Sequence, residues 1–157
     1  MNLPVQARSK DPGSEIVLPQ EPQENPIGAL VLARAGDKPA ALAYIDQSSK
    51  ANPQDTLLRN YWIPTIRAAL SLSNHDPMDA VHQLDGTLSY ELGSVLDFNT
   101  APMFPVYLHG QAFLAMNKGA EAAAEFQKYV DHPGVVQNYP LAALARPWAG
   151  PRLRRFR

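Results

Sequence analysis

The sequence predicts an all-α fold built from helical hairpins. Two observations point to it. First, apolar residues recur at helical spacing in successive segments, and no segment keeps up the period-two alternation of a half-buried strand. Second, glycine, proline and asparagine breakers fall between those segments, at Gly36-Asp37, Asn52-Pro53, Asn74-His75-Asp76-Pro77, Asn117-Lys118-Gly119 and His132-Pro133-Gly134. With 157 residues, 45% of them apolar, the chain is long enough for one domain with a modest core.

Residues 1–25 read as a disordered tail. Pro4, Pro12, Pro19 and Pro22 interrupt it, and only Ile16, Val17 and Leu18 are apolar in a row. Too little surface can be buried there to offset the entropy of ordering. The helical domain is placed at 26–146. Its first helix opens near Pro26 and closes at Gly36-Asp37. The second has Pro39 in its first turn, carries Ala41, Leu42 and Ile45, and stops at Asn52-Pro53. Asp55 is an N-cap for a helix from Thr56 to Leu72, and Pro64 inside it predicts a kink or break around Asn60–Ile63.

Asp76 caps the next helix, with Pro77 at its first position and Ala80, Val81, Leu84 and Leu88 on its apolar side. Gly93 to Pro105 reads as a looser connection with a turn at Asn99-Thr100-Ala101-Pro102. Val106, Gly110, Phe113 and Met116 then mark one helix. Ala120 to Val130, rich in alanine, marks the strongest, with Ala122, Phe126, Tyr129 and Val130 on one side. A last helix starts near Pro140 and is stopped by Pro147, so 147–157 is expected to be a disordered Arg-rich tail.

Composition excludes several functions. The formal net charge is −1, which provides no global field for nucleic acid or an anionic membrane. Five of the 14 basic residues lie among the last twelve positions, as Arg146, Arg152, Arg154, Arg155 and Arg157. Such a cluster could contact nucleic acid or acidic lipid, but the simpler reading is a solvated tail, and no nucleic-acid partner is assigned. No cysteine is present, which removes disulfides, thiolate catalysis and cysteine-ligated metal. No apolar run approaches the ~20 residues that span a bilayer. The N-terminus lacks the charged-then-apolar pattern of a signal peptide, so a cytoplasmic chain is expected.

Catalytic signals are equally sparse. There is no glycine-rich phosphate loop, no nucleophile elbow around Ser71 or Ser73, and no metalloenzyme spacing. His75 and His82 lie near Asp76 and Asp79, yet turn and surface histidines explain the first pair and helix-start acids the second. Neither a cofactor nor a metal is assigned, and no enzyme activity is expected. Tyr61 and Trp62 are candidates for ligand stacking, although core packing explains them better.

The helices come in pairs, which makes an internal repeat worth testing. The best unit spans Met103 to Gly134. Gly110 takes the small position of its first helix, with Phe113 three residues later. Ala122 takes the small position of the second, with Phe126 four later. This unit resembles the tetratricopeptide pattern, with Val106 in place of the usual tryptophan. Glu24 to Asp55 repeats the second half of the pattern, and Asp55 to Gly93 keeps Ala80 and Leu84. The resemblance implies a short right-handed superhelix of about three hairpins. Gly110 is then expected to face Ala122 where the third hairpin's helices cross.

A closer likeness covers roughly 26–144. The strings Asp55-Thr56-Leu57-Leu58-Arg59-Asn60-Tyr61-Trp62-Ile63-Pro64-Thr65-Ile66-Arg67-Ala68-Ala69, Tyr90-Glu91-Leu92-Gly93, Gly110-Gln111-Ala112-Phe113-Leu114-Ala115 and Glu125-Phe126-Gln127-Lys128 resemble the C-terminal repeat region of acidobacterial-type serine/threonine protein kinases. No residue here matches a kinase catalytic motif, so kinase activity is not carried over.

Together the resemblances imply a non-catalytic protein–protein interaction module that binds a protein or peptide. Thr65, Tyr107 and Gln111 are expected on its groove. The alternative is a detached regulatory or sensory segment of such a kinase, which would be extracytoplasmic if the kinase is membrane-anchored. The end after Leu144 departs from the family pattern, and an uncapped end is expected to promote self-association.

Overall fold

The computed structural model describes residues 25–93, 103–136 and 140–149. The tail expected at 1–25, all but its last residue, and the turn expected at 99–102 lie outside these residues. So do 150–157 of the Arg-rich end. The described residues form helices joined by turns, with no strand among them, as the sequence predicts. Six longer helices run in chain order: α1 Pro26–Arg34, α2 Lys38–Ala51, α3 Ile63–Ser73, α4 Pro77–Leu84, α5 Phe104–Ala115 and α6 Gly119–Asp131. Two short ones follow, α7 Pro133–Val136 and α8 Pro140–Ala145. Among the described residues no helix is long and apolar enough to cross a membrane.

Helix starts follow from side-chain caps. The carboxamide of Asn25 accepts from the Gly28 amide at 2.7 Å, Asp37 from Ala40 at 3.2 Å, Asp55 from Leu58 at 2.9 Å and Asp76 from Asp79 at 3.0 Å. Each cap satisfies one of the amides that a helix start leaves without a partner. Pro26, Pro39 and Pro77 occupy first-turn positions, where their missing donor is harmless.

Pro64 breaks its helix where the sequence predicts, by way of a π-helical turn over Leu58–Trp62. The Ile63 amide donates to Leu58 five residues back. The turn accommodates a residue that cannot donate and whose ring crowds the preceding carbonyls.

The helix ends repeat more closely than the sequence does. The loops α1–α2, α3–α4 and α5–α6 each have three residues, and the central one is left-handed: Gly36 at φ 84°, His75 at 61° and Asn117 at 60°. The hydrogen bonds coincide as well. The central amide donates three residues back, to Ala33, Leu72 and Leu114. The next amide, of Asp37, Asp76 or Lys118, donates five back, to Leu32, Ser71 and Phe113. This is the Schellman closure, made three times. A left-handed conformation costs an L-residue about 1–2 kcal/mol. Gly36→Ala, whose added methyl meets nothing within 4 Å, should therefore destabilise by about 1–2 kcal/mol from conformation alone. His75→Gly should stabilise by about 0.5–1 kcal/mol, the relief being trimmed by the freer unfolded chain. Urea unfolding of the two variants checks both signs.

Asp79, read from the sequence as a helix-start acid, also joins α4 to α3. Its carboxylate accepts from the Ser71 hydroxyl and, at 3.3 Å, from Gln83. The hydrogen bond from Ser71, then that from Gln83, hold its carboxyl below the usual range. A depressed carboxylate contributes stability above its unfolded pKa, about 3.9, and that stability is lost as pH falls through the folded value. Asp79→Asn should therefore lower stability at neutral pH and flatten the acid side of the stability–pH curve, so that variant and native protein converge at low pH. An identical acid limb in the variant would contradict the contact.

Packing divides into two clusters that share α5. One is formed by α1 to α4, with Tyr61, Ile66 and Leu84 deep inside, and takes Leu108 and Ala112 from α5. The other joins Met103 and Val106 to Ala122, Phe126 and Tyr129 of α6, with Val136 and Ala145 beyond. An almost wholly apolar α5 suits a helix buried on several sides. The sequence pairs Gly110 with Ala122. Ala122 is indeed fully buried, but a Cβ on Gly110 would point at the Phe126 ring. The nearest atoms belong to the far end of that ring, so the glycine makes room for an aromatic side chain.

Met103, left-handed at φ 54° and fully buried, precedes α5, and its carbonyl accepts from the Tyr129 hydroxyl at 2.7 Å. Tyr129→Phe should cost about 1–2 kcal/mol by leaving that buried carbonyl without this donor, read as a lowered urea midpoint.

Past α6 the chain keeps its structure beyond the stop predicted at Pro147. A 3-10 turn, Arg146–Trp148, and α8 both pack against α6, and Ala145 is fully buried. The outer side of the third hairpin is thus partly covered.

Candidate functional site

The three residues expected to line a groove part company. Thr65 is fully buried, and its hydroxyl donates to the Tyr61 carbonyl at 2.5 Å, so it belongs to the core and does not reach a groove. The π turn before it inserts an extra residue, which rotates any face counted at regular spacing from the helix start. Tyr107 and Gln111 do lie together on α5, four residues apart. Gln111 accepts from the Arg34 guanidinium at the end of α1. Tyr107 packs edge-on against Phe126, with ring centroids 5.7 Å apart.

Tyr107 lines an apolar groove between α1, α5 and α8, with Leu30, Val31, Phe104, Leu108, Leu141 and Leu144. Its volume is about 280 Å³. That is below the range of most small-molecule pockets, about 300–1,000 Å³, and suits one or two side chains. Val31 and Leu144 on its rim are 59% and 54% exposed, which leaves apolar surface facing solvent. Arg34 forms the polar end, where a second depression continues along Ala69, Leu72, Ser73 and Gln111. On α5 the groove residues 104, 107, 108 and 111 recur at helical spacing and so form one face.

The opposite side of α5 carries His109, and here the structure assembles a buried polar cluster. Glu91 comes from the segment after α4, His109 from α5, and Glu125 and Lys128 from successive turns of α6. Glu91 and His109 are 3% and 4% exposed. The Lys128 ammonium donates to Glu91 Oε2 at 2.9 Å and forms an ion pair with Glu125 Oε2 at 2.8 Å. His109 Nδ1 stands 3.6 Å from Glu91 Oε1, beyond hydrogen-bond length, and its ring stacks on Phe113. Glu91 Oε1 and both ring nitrogens of His109 are buried without a hydrogen-bond partner. Such groups cost about 1–3 kcal/mol each.

Burial pushes the Glu91 carboxyl up, but His109 and Lys128 outweigh it and hold the group below the usual carboxylate range. Burial likewise pulls Lys128 down, while Glu125 and Glu91 outweigh it and leave the ammonium above its ordinary value.

Sequence reasoning missed this cluster. Its members come from three elements with no motif spacing, and His75 and His82 drew the attention instead. Of the described residues, it is Glu91, His109 and Glu125 that present ligand atoms to one another. The only sequence signal was indirect: Glu91, Glu125 and Lys128 fall inside strings singled out for their likeness to a kinase-associated repeat region. Compared with known proteins, the chain matches no family model, no curated protein and no solved structure.

Proposed function

We propose that this chain is a non-catalytic peptide-binding module, a short tetratricopeptide-like right-handed solenoid whose groove runs between α1, α5 and α8. The observation that carries the reading is the apolar groove with its exposed rim of Val31 and Leu144 and its polar end at Arg34 and Gln111. The solenoid is supported by the three identical Schellman closures and by first helices that pack in series, α1 on α3 and α3 on α5. Rigid hairpins hold the groove open in advance, which lowers the entropy lost on binding. A fitting ligand is a peptide segment that inserts one or two apolar side chains and sets a carboxylate or amide against Arg34.

Selection from a displayed random-peptide library tests this. Peptides carrying two spaced apolar residues should be enriched, and Val31→Glu and Leu144→Glu should each weaken their binding at least tenfold without changing the circular dichroism. Both sites are exposed, so the fold should tolerate the charge. Failure to enrich any peptide, or binders indifferent to both substitutions, would overturn the reading.

A further inference from the structure

We infer that Glu91, His109 and Glu125 form a binding site for a divalent transition metal of the zinc type, with Lys128 as the internal cation that neutralises the carboxylates when no metal is bound. Three features of the cluster carry this. The donor set is one imidazole and two carboxylates, which suits zinc and its neighbours. The ligand atoms all lie within 4.8 Å of one another. Donors about 2.0–2.2 Å from a tetrahedral ion stand about 3.4 Å apart, so the cluster needs only a small contraction. Most tellingly, Glu91 Oε1 and both ring nitrogens of His109 are buried without a hydrogen-bond partner, and Glu125 Oε2 meets only the displaceable ammonium of Lys128, at 2.8 Å. A buried histidine with both nitrogens unpaired is rare in a settled core, whereas a metal ligand uses one of them.

Lys128 does not block the site. Its side chain is 29% exposed, against 3% for Glu91, so the ammonium can swing into solvent while the carboxylates stay buried. Glu91, Glu125 and Lys128 together carry net −1. An entering divalent ion makes the ammonium redundant and repels it. Three protein donors leave a fourth position for water. The ion would tie the segment after α4, α5 and α6 to one point. The site lies across α5 from the peptide groove and does not depend on it.

Cobalt(II) is the probe, as a coloured stand-in for zinc. The full chain, stripped with chelator, is titrated with Co²⁺ by absorbance and calorimetry, and then with Zn²⁺. We expect one Co²⁺ per chain, a visible spectrum of low coordination number, and displacement by Zn²⁺. Glu125→Gln, at a partly exposed position, should weaken binding at least tenfold, and His109→Phe should abolish it. Lys128→Met should strengthen it at least tenfold, a gain that misfolding cannot imitate. No binding to the native chain, or binding unchanged in these variants because it resides on His75, His82 or His132, would overturn the proposal.

Discussion

Gly110→Ala is expected to destabilise the protein by about 1–2 kcal/mol, against the gain of about 1 kcal/mol that alanine normally brings to a helix interior. Gly110→Leu should cost about 3 kcal/mol or more. The reason is contact geometry. A Cβ at residue 110 falls 2.5 Å from Phe126 Cζ and 2.6 Å from Cε1, whereas carbon atoms pack at about 3.5–4.0 Å. The ring has little room to retreat, since Phe126 is 1% exposed and Tyr107 packs against it. Phe126→Ala alone should cost about 3–5 kcal/mol by leaving a cavity at the α5–α6 contact. Combined, the two changes reverse a sign: with the ring gone, Gly110→Ala should become stabilising through helix propensity. A double-mutant cycle by urea unfolding reads this coupling directly. A higher midpoint for Gly110→Ala in the native background would show that the helices cross elsewhere.

Lys128→Met should cost about 2–3 kcal/mol in metal-free protein. Removing one partner of a buried ion pair typically costs about 3–5 kcal/mol, because the other charge is left uncompensated. The figure here is reduced because Lys128 is partly exposed and water screens it. Glu91, 3% exposed, suffers the loss. Adding Glu91→Gln to Lys128→Met should recover part of the stability, since an amide needs no countercharge. Chemical denaturation of the two variants is the check. A neutral Lys128→Met would place the ammonium in solvent and dissolve the cluster.

The helical elements were legible because their signals are local. Asp55 and Asp76 announce caps, Pro64 announces a break, and the loop centres at Gly36, His75 and Asn117 sit inside breakers visible in the sequence. What kind of break Pro64 makes was not legible. A π turn depends on where the displaced hydrogen bond settles, and its extra residue put Thr65 in the core when regular counting put it on the groove. Gly110 was recognisable as a close-approach residue, but its partner was not, because small–small and small–aromatic crossings leave the same glycine. The polar cluster was least legible. Glu91, His109 and Glu125 are brought together by the pairing of three elements, and each looks ordinary in its own segment.

Amide shift mapping of the ¹⁵N-labelled chain with a library-selected peptide tests the central claim most directly, because it locates the surface that binds. The peptide groove predicts saturable shifts on α1 around Leu30, Val31 and Arg34, on α5 around Tyr107, Leu108 and Gln111, and on α8 around Leu144, with Thr65 moving little. Shifts concentrated instead around Leu42 of α2, Met78 of α4 or Val130 of α6, all of them exposed apolar residues away from the groove, would contradict it.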